Sequence, residues 1–139
     1  MVFGMSNVIK INHVAIAVND LDSSLFFWRD VLGLTLGHVE QVPSQKANVA
    51  FFPVGDSEIE LVQPTDPESG VGKFLESRGP GIHHLCFEVE DIDASLAVMQ
   101  EKGVQLINKE PLELPGRKLA FVHPKSTGGV LVELYEIIG

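Results

Sequence analysis

Residues 11–25 read INHVAIAVNDLDSSL and residues 82–96 read IHHLCFEVEDIDASL, and this near-repetition decides the fold. The two stretches are identical at Ile11/Ile82, His13/His84, Val18/Val89, Asp20/Asp91, Asp22/Asp93, Ser24/Ser95 and Leu25/Leu96. Each copy then supplies a glutamate. Glu60 in SEIELV answers Glu133 in VLVELY, 47 residues beyond His13 in the first copy and 49 beyond His84 in the second. Such a repeat predicts two copies of one unit packed around a shared site holding two imidazoles and two carboxylates, a donor set suited to a metal ion.

Working outward, Ile11 to Val18 alternates small and branched residues and reads as a strand. Asp20 or Asp22 offers an N-cap, Leu25, Trp28 and Leu32 fall on one helical face, and Gly33 closes the helix. Strands are expected over 34–42, 48–54 and 58–63. The second copy repeats the order, with a strand over 85–89 and Asp91 or Asp93 as cap. Its helix buries Ile92, Leu96 and Met99 and ends at Gly103, and strands follow over 104–108, 118–123 and 130–137. The modules span about 8–63 and 82–137 of a single domain over 8–137. Between them lies a Pro, Gly and acid-rich linker, 64–81, in which VGKFLESR can form a short helix. The expected class is α+β: two tandem β-α-β-β-β modules forming a curved eight-stranded mixed sheet, helices outside and a metal site in the concavity.

Strand pleating sharpens this, because successive side chains alternate faces. His13 shares its face with Ala15 and Ala17, opposite Val14, Ile16 and Val18, and His84 shares with Cys86 and Glu88, opposite Leu85, Phe87 and Val89. Glu60 and Glu133 likewise lie opposite their aliphatic neighbours. The aliphatic faces are expected under the helices, leaving the small and polar faces to line a hollow.

Composition narrows the function. Ten basic and nineteen acidic side chains give a net charge of −9 with no basic run, which excludes nucleic acid and anionic membrane surfaces as expected partners. Apolar runs fall far short of the roughly 20 residues a membrane helix needs. The start MVFGMSNVIK lacks the apolar core of a secretory signal, so a cytoplasmic protein is expected, or one of the mitochondrial matrix in a eukaryote. A single cysteine, Cys86, excludes an intrachain disulfide framework. Phosphate-loop, dinucleotide-binding, nucleophile-elbow and H-E-x-x-H motifs are absent from the sequence.

Two carboxylates converging in a hollow would repel unless a cation sat between them. A divalent ion bound by His13, Glu60, His84 and Glu133 resolves that repulsion. Mixed nitrogen and oxygen donors suit Co, Mn, Ni, Zn or Fe(II). If the ion is six-coordinate, two positions remain for a substrate offering two oxygens, one of them a carbonyl to polarise. His83 reads as structural, His38 and His123 as surface or hydrogen-bonding residues, and Cys86 as packing. The loop HPKSTGG, residues 123–129, offers Lys125 and Ser126 as substrate-binding candidates.

The paired modules and the His/Glu/His/Glu set resemble the vicinal oxygen chelate superfamily, which includes glyoxalase I, extradiol dioxygenases and methylmalonyl-CoA epimerase. INHVAIAVNDLD, GIHHLCFEVEDIDASL, and HPK followed by GGVLVEL resemble the methylmalonyl-CoA epimerase family most closely, over about 9–135. The resemblance implies that His13, Glu60, His84 and Glu133 are metal ligands. It implies epimerisation at C2 of methylmalonyl-CoA by 1,1-proton transfer through a metal-stabilised enolate, with an acyl-CoA as the small-molecule partner. Some epimerases carry Gln where this chain has Glu60, and the position aligned with a catalytic Glu of bacterial epimerases is Phe51, which accepts no proton. Glu133 and Glu60 are therefore the candidate catalytic bases, with Glu40 behind them. Lys125, with Arg117 and Lys118, would meet the phosphates or thioester end of coenzyme A. Glyoxalase I is the alternative on the same ligands, and a ligand-sequestering protein of this fold is the non-catalytic one. An extradiol dioxygenase fits less well, since Glu60 would fill a position it needs open. Exposed strand edges permit a homodimer.

Overall fold

In the computed structural model, which describes residues 7–139, the β-α-β-β-β order occurs twice. The first pass is β1 (Val8–Ala17), α1 (Leu21–Leu25), β2 (His38–Val42), β3 (Ala47–Val54) and β4 (Ser57–Pro64). After α2 (Gly70–Arg78) come β5 (Gly81–Val89), α3 (Ile92–Glu101), β6 (Leu112–Leu114), β7 (Arg117–Val122) and β8 (Val132–Ile137). The α+β class and the tandem modules are as the sequence predicts. The chain divides into two compact units, His13–His83 and residues 84–139 joined by 7–12, so the boundary falls inside β1.

Within the first unit the strand order is β2-β3-β4-β1, and within the second β5-β8-β7-β6. Each four-strand set is mixed: β1 runs parallel to β4 and β5 parallel to β8, while the hairpin neighbours are antiparallel. Parallel pairing of a module's first and last strands needs a crossover connection, and the helix after the first strand supplies part of it.

Both helices start on the aspartate immediately before them. Asp20 accepts a hydrogen bond from the Ser23 amide at 2.9 Å and Asp91 one from the Ala94 amide at 3.1 Å. The Ser23 amide holds the Asp20 carboxyl below its ordinary value. A second repeated contact lies at the first residue of each helix. The Leu21 amide donates to Gln63 Oε1 at 2.7 Å, and the Ile92 amide to Glu136 Oε1 at 2.8 Å. Gln63 and Glu136 stand three residues after Glu60 and Glu133, so each glutamate-bearing strand also ties down the start of its module's helix.

The helix-facing cores are apolar as expected. Val18, Leu21, Leu25, Ala50, Phe52 and Leu61 form one cluster, and Val89, Ile92, Leu96, Ala120 and Leu134 its counterpart. Burying each large member contributes about 1.5–3 kcal/mol. Ile92, Leu96 and Met99 meet this core, as the spacing predicts.

Three features correct the sequence reading. The stripe from Leu25 through Trp28 to Leu32 does not persist, because residues Phe26–Val31 widen into a π-helix, with the Leu32 amide bonded to the Phe27 carbonyl. The wider turn rotates Leu32 off the core, leaving it 53% exposed, while Trp28 still packs inward. Residues 34–37 stay outside β2, which begins at His38. Finally, 104–108 is no strand: it touches β7 through one bridge, Leu106 to Val122, and the Ile107 and Asn108 amides both reach the Phe121 carbonyl. Two amides on one carbonyl break the alternating ladder, and the Asn108 side chain takes the Phe121 amide instead. The edge strand is β6.

In the linker, α2 forms as expected, capped by Ser69, whose hydroxyl accepts from the Gly72 amide at 3.1 Å. A Cβ on Gly72 would come within 2.6 Å of the carbonyl oxygens of Asp66 and Pro67, whereas one on Gly70 would meet nothing within 4 Å. Gly72→Ala is expected to cost about 1–3 kcal/mol in denaturant unfolding and Gly70→Ala far less. Gln63→Ala and Glu136→Ala should each cost about 1 kcal/mol by the same measurement.

Candidate functional site

Each module brings its own histidine and glutamate together. His13 Nδ1 lies 3.3 Å from a Glu60 carboxylate oxygen, and His84 Nε2 lies 3.0 Å from one of Glu133. The registers explain it. Glu60 sits beside Ala15 of β1 and Glu133 beside Cys86 of β5, so each histidine, two residues earlier on its strand, occupies the same face one pleat away. On the other side each glutamate abuts a phenylalanine, Phe51 for Glu60 and Phe121 for Glu133. The parallel extends to ring contacts at both phenylalanines, since His84 meets Phe121 edge-on and His38 stacks on Phe51.

Burial makes these pairs consequential. His13 is 1% exposed, Glu60 8% and Glu133 3%. Titratable groups so deep must be paired or neutralised. The faces that carry them are less polar than the pleat argument suggested. Ala15 packs with Ala47, Val49 and Val62, with Phe51 alongside, and Cys86 packs with Leu119 and Tyr135, with Leu114 and Phe121 alongside. The small and polar face therefore has an apolar layer of its own. Apolar walls around a charge pair lower the local dielectric and strengthen any electrostatic interaction made there.

Cys86 was expected as a packing residue. It does pack, yet its Sγ and a Glu133 carboxylate oxygen lie within 4.8 Å of each other, which makes it a further donor atom beside the second pair. The available signal was its position two residues after His84 on the same pleat.

The remaining residues separate cleanly. His83 stands edge-on to Phe74 of α2, which suits the structural role expected of it. His38 is exposed and lies 3.5 Å from Glu40. His123 caps the short 3-10 turn Pro124–Ser126, its Nδ1 accepting from the Lys125 amide at 3.0 Å. In that turn Ser126 accepts from the Gln105 amide through its hydroxyl at 2.8 Å, and Lys125 is exposed.

Lys118, expected to help hold coenzyme A, instead forms an ion pair with Asp93 at 3.2 Å on the α3 side of β7. That aspartate, with the Lys118–Asp93 hydrogen bond as the main cause, raises the Lys118 pKa. Arg117 opens β7, and Lys125 lies in the turn that follows its other end. Charge in the sequence gave no means of telling these ends and faces apart.

Comparison with known proteins identifies the family. Residues 12–121 match the Glyoxalase/Bleomycin resistance protein/Dioxygenase superfamily, and the chain belongs to that family. An uncharacterized protein of Bacillus subtilis is 41% identical over 128 residues, 91% of each chain. An ethylmalonyl-CoA/methylmalonyl-CoA epimerase of Cereibacter sphaeroides is 37% identical over 131 residues, 92% of this chain and 98% of that one. Among solved structures, a methylmalonyl-CoA epimerase in complex with methylmalonyl-CoA and NH4+ matches with a TM-score of 0.84 and 34% identity, covering 96% of this chain and 97% of that one.

If His13 is the buried partner of Glu60, its removal should be costly even without metal. With a chelator present, His13→Ala is expected to lose about 3 kcal/mol or more in denaturant unfolding, whereas His38→Ala should stay within about 0.5 kcal/mol of wild type.

Proposed function

We propose that this chain is a metal-dependent epimerase that interconverts the C2 epimers of methylmalonyl-CoA. The observation that carries the proposal is the His/Glu pair that recurs at the matching strand positions of both modules, in a chain similar to named acyl-CoA epimerases. His13, Glu60, His84 and Glu133 together would hold one divalent ion, of Co, Mn, Ni or Zn type. The donors fit such an ion: two imidazoles are neutral ligands, and two carboxylates balance a charge of +2. Bound there, it would supply Lewis-acid stabilisation of negative charge developing on the thioester oxygen.

The chain's own residues would do the rest. Epimerisation breaks the C2–H bond, leaves the electron pair delocalised toward the thioester carbonyl, and returns a proton to the opposite face. Glu133 is the first candidate to accept the proton, since it is deeply buried among apolar side chains that exclude competing water. Glu60 is the second carboxylate and the candidate for the other face. Phe51 and Phe121 wall these carboxylates and take no part in proton transfer. Lys125 and Ser126, on the turn after β7, are the candidates for holding the coenzyme A portion. A reducing compartment such as the cytoplasm suits a chain with a single, buried cysteine, Cys86.

Incubated with methylmalonyl-CoA in D₂O, protein loaded with Co should place deuterium at C2, and chelation should abolish it. Glu133→Gln should reduce exchange about 10²- to 10⁴-fold with an unchanged far-UV spectrum. Undiminished exchange by that variant rules out Glu133 as the base. If wild type loaded in turn with Co, Mn, Ni and Zn exchanges no deuterium, the epimerase assignment fails.

A further inference from the structure

Each module's helix runs from a capping aspartate to a glycine of positive φ, Asp20 to Gly33 in the first and Asp91 to Gly103 in the second. The glycine stands 13 residues after the aspartate in the first module and 12 in the second. The π-helical turn Phe26–Val31 absorbs the extra residue. Beyond it the Leu34 amide reaches back to the Trp28 carbonyl at 3.0 Å, whereas the matching Val104 amide needs one residue fewer to reach Met99 at 2.9 Å. Trp28 and Met99 both still pack against their cores. Counted from the caps, Phe26 and Phe27 answer Ala97 and Val98. Counted back from the glycines, Val31 and Leu32 answer Glu101 and Lys102.

Phe26, Phe27, Val31 and Leu32 are each between 50% and 65% exposed. Because the Leu32 amide bonds the Phe27 carbonyl, Leu32 lies one wide turn beyond Phe27 and Val31 one beyond Phe26, and the four side chains form a continuous apolar ridge. The second module differs at every matching position. Ala97 is small, Val98 is buried, and Glu101 and Lys102 are charged and exposed. The same strand and helix order is therefore satisfied with two charges on this turn, and nothing in a module's own packing calls for apolar residues there. Two phenylalanines, a valine and a leucine facing water contribute nothing to the monomer, and a contiguous surface of this kind marks a contact.

We propose that this ridge is the interface of a weak homodimer, in which the first-module helices of two copies pack against each other across a two-fold axis. The contact is separate from the exposed strand edges, and it stands whether or not the chain is an epimerase. Shape selects a second copy: a convex ridge seats in the grooves beside an identical ridge, and one patch then serves both partners, whereas a bound peptide helix needs a groove in the protein. Charge agrees. Within Phe26–Leu32 the charged residues are Arg29 and Asp30, which pair with each other at 2.8 Å, so two acidic chains meet no unbalanced charge at the centre of the contact. A lipid surface is the poorer match, since interfacial helices carry a lysine- and arginine-rich polar face. Area sets the strength. At these exposures a phenylalanine presents on the order of 100 Å² and the four side chains on the order of 400 Å². Two copies would thus bury roughly 800 Å² of apolar surface, short of the roughly 1,200–2,000 Å² of a stable complex, which places the dimer in the weak, concentration-dependent class.

Sedimentation velocity of the full chain from about 1 to 500 µM should show a monomer–dimer equilibrium with a micromolar Kd. Val31→Glu combined with Leu32→Lys installs the residues that the second module carries on the same turn. That variant should sediment as a monomer throughout, and at the lowest concentration, where wild type is monomeric too, its unfolding midpoint should match wild type. Phe26→Ala, after Ala97, should raise the dimer Kd about tenfold or more. Val39→Lys on the β2 edge and Leu112→Lys on the β6 edge should leave the Kd within about twofold. A wild type that stays monomeric at every concentration overturns the proposal. So does a dimer that survives the helix substitutions, and its loss in an edge variant would move the contact to that edge. Phe26→Ala decides alone if the double variant does not fold, since an unchanged Kd overturns the proposal. Flotation with phosphatidylcholine vesicles should carry no wild-type protein. Flotation that the double variant abolishes, with wild type monomeric in solution, overturns the dimer in favour of a lipid contact.

Discussion

Parallel pairing of the first and last strands of each module is the constraint from which the rest follows. It places Glu60 beside Ala15 and Glu133 beside Cys86, and the two-residue period of a strand then puts His13 and His84 on the same faces as those glutamates. A slip of one residue in either register would turn the glutamate to the helix side and bury an unpaired carboxylate among aliphatic side chains. The catalytic candidates are therefore positioned by backbone hydrogen bonds between central strands and not by mobile loops, which suits chemistry that tolerates little misplacement.

The same strands also anchor the helices. Gln63 and Glu136, three residues beyond the paired glutamates, hold the first amides of α1 and α3, while Asp20 and Asp91 hold the amides of the third turn positions. One side of β4 and β8 thus carries the candidate glutamates, and the other secures the helix that covers the aliphatic core. Apolar clusters lie on both sides of each four-strand set, so the pairs stand among apolar side chains. In such surroundings a carboxylate left without an imidazole or a cation would be costly, so the buried pairs point to a function that uses them.

Much of this was legible in the chain itself. Identities at His13/His84 and Glu60/Glu133, with strand alternation, singled out the two histidines and two glutamates before any coordinates, and the caps at Asp20 and Asp91 were among the two choices each motif allowed. The π-helix over Phe26–Val31 was not legible, because Leu25, Trp28 and Leu32 satisfy the α-helical period and only packing of Trp28 against the core shows where the turn widens. The segment 104–108 has strand-like composition but yields its ladder to an asparagine side chain, a competition that composition does not record. Lys118 and Arg117 illustrate the same limit. Adjacent in sequence and equal in charge, they point to opposite faces, one to Asp93 and the other to Tyr135.

By itself the sequence determined the duplicated module, the α+β class, the acidic balance and the identity of the four His and Glu candidates, because periodicity and repetition are properties of the linear order. Tertiary structure alone decided which carboxylate each histidine meets, that Cys86 stands beside Glu133, that both strand faces are apolar around their polar pairs, and that the Arg117 guanidinium lies over the Tyr135 ring. The reason is physical. Those outcomes depend on strand register and on competition among neighbours far apart in the chain, and neither is specified until the strands have paired.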